Sequence, residues 1–141
     1  MIQYKIYKNN NTKSSTAGMY YARTVCNETI DVEGLASHMA SHNSPFSEGV
    51  IAGVLTDAVA CVKELVLDGK NVKFDDLAIF SCGITTKPAA SAAAFTPSEN
   101  ITEVRLRARA TGTLRSAILT SEARIKQLSK YSVDDTAASG E

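Results

Sequence analysis

The sequence predicts an α+β fold, with helices packed against an antiparallel sheet, and three stretches carry that prediction. Ser44 to Gly69 reads as a long helix with one apolar stripe and a glycine stop. Ile101 to Arg109 alternates apolar and charged residues as a strand does, and the amino end, MIQYKIYKNN, alternates in the same way.

In chain order, Ile2, Tyr4 and Ile6 alternate with Gln3 and Lys5. The polar run Asn9 to Ser15 reads as a loop, and Met19 to Val25 as a second strand. Two strands alone are marginal, so this ribbon needs a packing partner. Asp31 can cap a short helix whose apolar side is Val32, Leu35, Ala36 and Met39, ending near His42 and Asn43. Ser44 and Pro45 then read as cap and first turn of the long helix, with Glu48 placed for the helix dipole. Its stripe runs Val50, Ile51, Val54, Leu55, Ala58, Cys61, Val62, Leu65, Val66. About 23 residues at roughly 1.5 Å each give a rod of about 35 Å, which needs a large partner surface.

Beyond Gly69, Asn71 to Phe74 reads as a short strand, Asp75-Asp76 as a turn, and Leu77 to Ile84 as the next strand. Thr85 to Asn100 holds Pro88, Pro97 and a run of alanines and serines, so an extended, exposed excursion is expected there. In Ile101 to Arg109 one face is Val104, Leu106 and Ala108, and the other is Glu103, Arg105, Arg107 and Arg109. A final helix is expected from about Thr111, with Leu114, Ala117, Ile118, Ile125 and Leu128 as its apolar positions and Arg115, Arg124, Lys126 and Lys130 outside.

With 141 residues, the length favours one domain able to bury a core without staples. Cys26, Cys61 and Cys82 are widely spaced and odd in number, which argues against a disulfide framework or a zinc site; Cys61 falls in the helix stripe and is expected in the core. No apolar run matches a signal peptide or a membrane span, so a cytoplasmic protein is expected. Net charge is zero, but residues 1–69 are acidic by two, residues 70–130 basic by five, and residues 131–141 acidic by three. His38 and His42 are four residues apart without a third ligand in view, no serine sits in a G-x-S-x-G elbow, and no glycine-rich phosphate loop is present. Catalysis is not expected, and neither a cofactor nor a small-molecule substrate is called for.

The order helix, helix, Gly, strands, outward ribbon, strand, helix resembles the HU and integration host factor family of bacterial histone-like DNA-binding proteins. The resemblance runs from about Ile30 to Leu128 and is most specific in ELVLDGKNVKFDDLAIFSCGI. The amino-terminal hairpin is similar to that of a longer HU-related subgroup. The resemblance implies an intertwined dimer with a helical base, an antiparallel β saddle and an extended β-ribbon arm. The corresponding division is residues 1–30 as an N-terminal β-hairpin extension, 31–128 as the HU-like domain with its arm at about 84–109, and 129–141 as a polar tail. Two departures stand out. Where the family has Gly-Phe-Gly in the first sheet turn, this chain has Asp76-Leu77-Ala78, so the turn must be built differently. Of the family's Arg-Asn-Pro arm tip only a proline survives, in Thr96-Pro97-Ser98-Glu99-Asn100.

What the resemblance implies for function is a nucleoid-associated architectural protein that binds double-stranded DNA with little sequence preference and bends it, as a homodimer or with a paralogous chain. Its contacts would be Lys87, Pro97, Arg105, Arg107, Arg109 and Arg115. The three strand arginines are about 6 to 7 Å apart, near the spacing of neighbouring phosphates, yet alternate charge is also the ordinary solvated face of a sheet. Pro97 reads either as a wedge or as a turn former, with Pro88 as its rival, and Lys87 and Arg115 read either as phosphate contacts or as surface charges. A second class of function also fits: a protein-interaction module on the same dimeric scaffold, suggested by the missing Arg-Asn run and the acidic front.

Overall fold

A computed structural model describes residues 1–129, with the Ser129 side chain undescribed; residues 130–141, including Lys130 and most of the expected polar tail, lie outside the described residues. The elements in chain order are β1 (Ile2–Lys8), β2 (Tyr20–Val25), α1 (Val32–Ser41), α2 (Glu48–Leu67), β3 (Val72–Phe74), β4 (Ala78–Thr86), α3 (Pro97–Asn100), β5 (Ile101–Ala110), α4 (Ser116–Glu122) and β6 (Ile125–Ser129). They fall into two compact units, one of residues 30–119 and one of residues 1–29 with the segment after 119.

In the larger unit, Asp31 caps α1 by accepting the Gly34 amide at 2.8 Å. Ser47, not Ser44, caps α2, accepting the Val50 amide at 3.4 Å. Ser44 instead accepts the Phe46 amide in the loop, so Pro45 lies outside the helix and α2 has 20 residues rather than about 23. The competition between two serines three residues apart is decided by geometry that spacing does not encode. At its other end, α2 stops as expected at Gly69, whose φ of +76° lets the Lys70 amide reach the Leu65 carbonyl at 3.0 Å and the Gly69 amide reach Val66 at 3.2 Å. Both bonds occupy carbonyls that the last helical turn leaves open.

β3, β4 and β5 form an antiparallel sheet in that order, with Ala78 opposite Ala110, Phe80 opposite Ala108 and Cys82 opposite Leu106. One face is therefore Phe74, Phe80, Cys82, Ile84, Val104 and Leu106, and the end of α2 with the buried Val66 lies beside its base, near Phe74 and Phe80. The core is small: Ala36, Ile51, Val66 and Ala78 are its buried apolar residues among those described. Cys61, expected inside, is exposed. The stripe of α2 is only half-covered, and Leu55, Val62, Phe80 and Leu106 border an apolar groove of about 600 Å³.

The β3–β4 turn solves the problem set by its missing glycines. Asp76 takes a φ of +61°, and its carboxylate accepts the Thr113 amide at 3.2 Å. Thr111 adds a hydroxyl bond to the Phe74 carbonyl at 3.1 Å and an amide bond to Leu77 at 3.1 Å. A left-handed aspartate is thus held by the chain leaving β5, through the short 3-10 turn Gly112–Leu114.

In the smaller unit the expected hairpin exists, with Tyr4 opposite Thr24 and Tyr7 opposite Tyr21, but it gains a third strand. Ile125–Ser129 is not helical: α4 ends at Glu122, and β6 pairs parallel to β1, with the Ile2 amide on the Arg124 carbonyl at 2.8 Å. The i, i+3 spacing of Ile125 and Leu128 suits a helix, but the open edge of β1 offers backbone partners that a two-stranded ribbon otherwise leaves to water.

Gly112 gives this fold its clearest test. It sits at φ +53°, and a Cβ there would meet the Asp76 Cα at 2.7 Å. Gly112→Ala is expected to cost roughly 1–3 kcal/mol, read as a lower urea midpoint with unchanged slope; an unchanged midpoint would mean that the bolted turn contributes nothing.

Candidate functional site

The face of the β3–β4–β5 sheet opposite the groove is polar. Register places Lys73, Ile79, Ser81, Gly83, Thr85, Glu103, Arg105, Arg107 and Arg109 on it. Asn71, Ser81, Arg107 and Arg109 border a polar hollow of about 370 Å³ on this side, and Arg105 stands one pleat further along, at the rim of the apolar groove. All three arginines are exposed, and among the described residues none has a carboxylate within 4 Å; the two ion pairs there are Lys70–Asp68 and Lys73–Asp75. Lys73 shares the face but not the free charge. Its 2.8 Å hydrogen bond to Asp75 pushes the lysine pKa up and holds the Asp75 carboxyl below the usual carboxylate range.

Gly83 has a specific part in this face. A Cβ there would stand 2.8 Å from Arg107 Cδ and 3.2 Å from its Nε. The missing side chain is the space across which the Arg107 stem lies, diagonally over the neighbouring strand. Neither Gly83 nor Asn71 and Ser81 stood out in the sequence, because each acts through a cross-strand neighbour that only the register reveals.

The other expected contacts lie elsewhere. Lys87 is exposed at the distal end of the ribbon, about 26 Å along β5 from Arg109. Pro97 is exposed as well, but it opens the one-turn helix α3, so the excursion is not extended throughout. Arg115 lies beyond the opposite end of β5, where its Nε donates to the Gly112 carbonyl at 3.3 Å. The arginine trio is therefore one cluster of charge, and Lys87 with Pro97 lies apart from it at the ribbon's far end.

That far end is closed by Asn100, which is 7% exposed and the one buried polar residue among those described. Its Oδ1 accepts the Thr96 amide at 2.9 Å, its Nδ2 donates to the Lys87 and Pro88 carbonyls at 3.2 and 3.3 Å, and its own carbonyl accepts the Lys87 amide at 2.7 Å. One side chain thereby ties both ends of the 88–99 excursion to the last rung of the ribbon. Asparagine before an isoleucine strand carries no sequence signal of such a clamp.

His38 and His42 meet edge-on, with their Nε2 atoms 3.2 Å apart, but no cluster of three or more His, Cys, Asp or Glu that could hold a metal exists among the described residues. No helix among them is long and apolar enough to cross a membrane.

A family model, HU-HIG, described as an HU domain fused to a wHTH, Ig or glycine-rich motif, matches residues 1–125. Among solved structures, the chain is similar to a candidate DNA-binding protein from Bacteroides vulgatus, with a TM-score of 0.66 at 16% identity. The match covers 92% of this chain and 48% of that one, so this chain spans about half the length of its structural relative. No curated protein matches it.

Replacing Asn100 by Ala removes the acceptor for the Thr96 amide and leaves the Lys87 and Pro88 carbonyls without their donor. The expected result is exchange of the Thr96 amide hydrogen faster by about tenfold or more, from a loss on the order of 1–3 kcal/mol, with the amides of Phe80 and Ala108 unchanged. Equal protection in both proteins would show that the clamp is idle.

Proposed function

The chain belongs to the HU-HIG family, and from that membership we propose that it is an architectural DNA-binding protein that takes double-stranded DNA on the arginine face of the β3–β4–β5 sheet. The observation that carries this reading is a row of three exposed guanidinium groups, Arg105, Arg107 and Arg109, with no carboxylate within 4 Å of any of them among the described residues. Their pitch of about 6 to 7 Å suits successive phosphates of one strand. Asn71 and Ser81 border the same hollow as Arg107 and Arg109 and can add neutral hydrogen bonds to phosphate oxygens. Binding of this kind is weakly sequence-dependent and steeply salt-dependent.

Lys87 and Pro97 then act at the ribbon's end, the lysine on phosphate and the exposed ring of Pro97 as an apolar wedge that favours bent duplex. Arg115 contributes a flanking contact. The protein works as a homodimer: Val104 and Leu106 are 57% and 61% exposed beside the half-covered stripe of α2, and a second copy supplies the apolar surface that one chain lacks.

Fluorescence anisotropy with a short AT-rich duplex tests the site. Binding is expected at low salt, and the Arg105→Ala/Arg107→Ala/Arg109→Ala variant should flatten the slope of log affinity against log salt by roughly 2 to 3, about 0.9 per lost phosphate contact. A variant that keeps the parental slope would remove DNA from this face.

The dimer is tested separately by light scattering. The parent should run at twice the chain mass, and Leu106→Asp, which puts a charge into the apolar groove, should run as a monomer at micromolar concentration. A parent that is monomeric at that concentration would overturn the dimer.

A further inference from the structure

The smaller unit carries a second cationic face of a different kind. Its three strands read IQYKIYK, YYARTV and IKQLS, with four cations and not one carboxylate. Register puts Lys5 opposite Arg23 and Tyr7 opposite Tyr21, and sets Lys126 beside Gln3 across the other edge of β1. Gln3, Lys5, Tyr7, Tyr21, Arg23 and Lys126 therefore share one side of the sheet. Ile2, Tyr4, Ile6 and Ile125 take the other.

Like charges directly opposite on paired strands are unfavourable unless something of opposite sign stands nearby. Here Lys5 faces Arg23 with no carboxylate within 4 Å of either among the described residues. Next to this pair along the same face lie two rings whose centroids are 6.1 Å apart, and the Arg23 guanidinium sits 5.3 Å from the Tyr7 ring centre. That contact restrains the guanidinium, which has no hydrogen-bond acceptor among the described residues. Tyr21 stays 41% exposed, a large ring area for an outer strand.

We propose that this face binds unpaired nucleotides of single-stranded nucleic acid, with Tyr7 and Tyr21 stacking on bases and Lys5, Arg23 and Lys126 neutralising phosphates. Charge selects a polyanion, and the rings select among polyanions. A duplex hides its base faces in the stack and would use the cations alone, and an acidic peptide has no π-faces to offer the tyrosines. Aromatic rings set beside cations and free of acids make a stacking platform that tolerates any base. The face is independent of the duplex site on Arg105, Arg107 and Arg109, so the two readings can fail separately.

The chain has no tryptophan, and four of its five tyrosines are on β1 and β2, so tyrosine emission reports directly on this sheet. The full chain is titrated with a fluorescein-labelled 15-nucleotide oligothymidylate, followed by anisotropy, and with unlabelled oligomer, followed by tyrosine emission. Binding with quenching is expected, with a log–log salt slope of about −2 for three phosphates at roughly 0.7 each. Tyr7→Ser/Tyr21→Ser should weaken binding by about tenfold or more, whereas Tyr7→Phe/Tyr21→Phe should stay within about twofold, since the ring and not the hydroxyl stacks. Should the serine pair fail to fold by circular dichroism, Arg23→Gln decides, with an expected loss of about threefold or more at low salt. The arginine-trio variant should keep the parental quenching of tyrosine emission by oligothymidylate, which reports on this sheet whatever the arginine face holds. Loss of that quenching in the trio variant, full quenching in Arg23→Gln, full binding by a folded serine pair, or displacement of the oligomer by poly-glutamate at equal charge would each overturn the proposal, the last by naming an acidic peptide as the occupant.

Discussion

The β4–β5 register is the constraint on which the larger unit depends. With Phe80 against Ala108 and Ser81 against Arg107, Val104 and Leu106 of β5 take the groove face shared with α2, and the three arginines alternate to the other. A slip of one residue would exchange the faces, sending Arg105 and Arg107 into the groove and Val104 and Leu106 to the polar side. The register is pinned at both ends by side chains outside the ladder. At the base, Asp76 and Thr113 lock the turn, and at the far end Asn100 ties Lys87 to Thr96. Two short polar clamps thus fix which face is cationic, and the arginines need no partners of their own to be held in line.

The same register leaves an apolar face that the chain cannot cover. Only Ile51 and Val66 of α2 are buried, and Leu55, Ala58 and Val62 of its stripe line the groove with Leu106 and Phe80. Burying a side chain such as leucine or valine stabilises by roughly 1.5–3 kcal/mol. The exposed residues around this groove therefore hold back an amount comparable to the whole stability of a small domain. A fold that keeps so little core in one chain is economical only when a second surface completes it. The proposed second copy and the proposed DNA face are accordingly two consequences of one alternation, on opposite sides of one sheet.

What the sequence disclosed follows the range of the interactions involved. The helix ending at Gly69 and the alternation of Ile101 to Arg109 were legible because each is written within a few consecutive residues. Ser44 and Ser47 were harder to separate, since both have a capping oxygen and only the path of the loop distinguishes them. β6 was misread as helix because Ile125 and Leu128 satisfy a helical spacing, and its true partner, β1, lies more than a hundred residues earlier. Asn100 and Gly83 carry no local mark, and Asp76 marks a turn without showing what holds it. Each is defined by what stands across a strand or a loop, so their roles emerge only after the pairing is known.

Net neutrality is a poor guide to what this chain can hold. Acids are concentrated on and around α1 and α2, while β1, β2 and β6 have none and β5 has Glu103 alone, which accepts a hydrogen bond from the Thr85 hydroxyl at 3.3 Å. At physiological salt, charges more than about 8 Å apart are largely screened from one another. A polyanion touching either cationic face therefore meets that face's own charge rather than the chain's sum of zero. Contact residues set its affinity, and distant acids act mainly by slowing its approach at low salt. In a neutral protein built this way, affinity is written in the alternation of individual strands, because a strand can sort its cations to one side while the composition as a whole stays balanced.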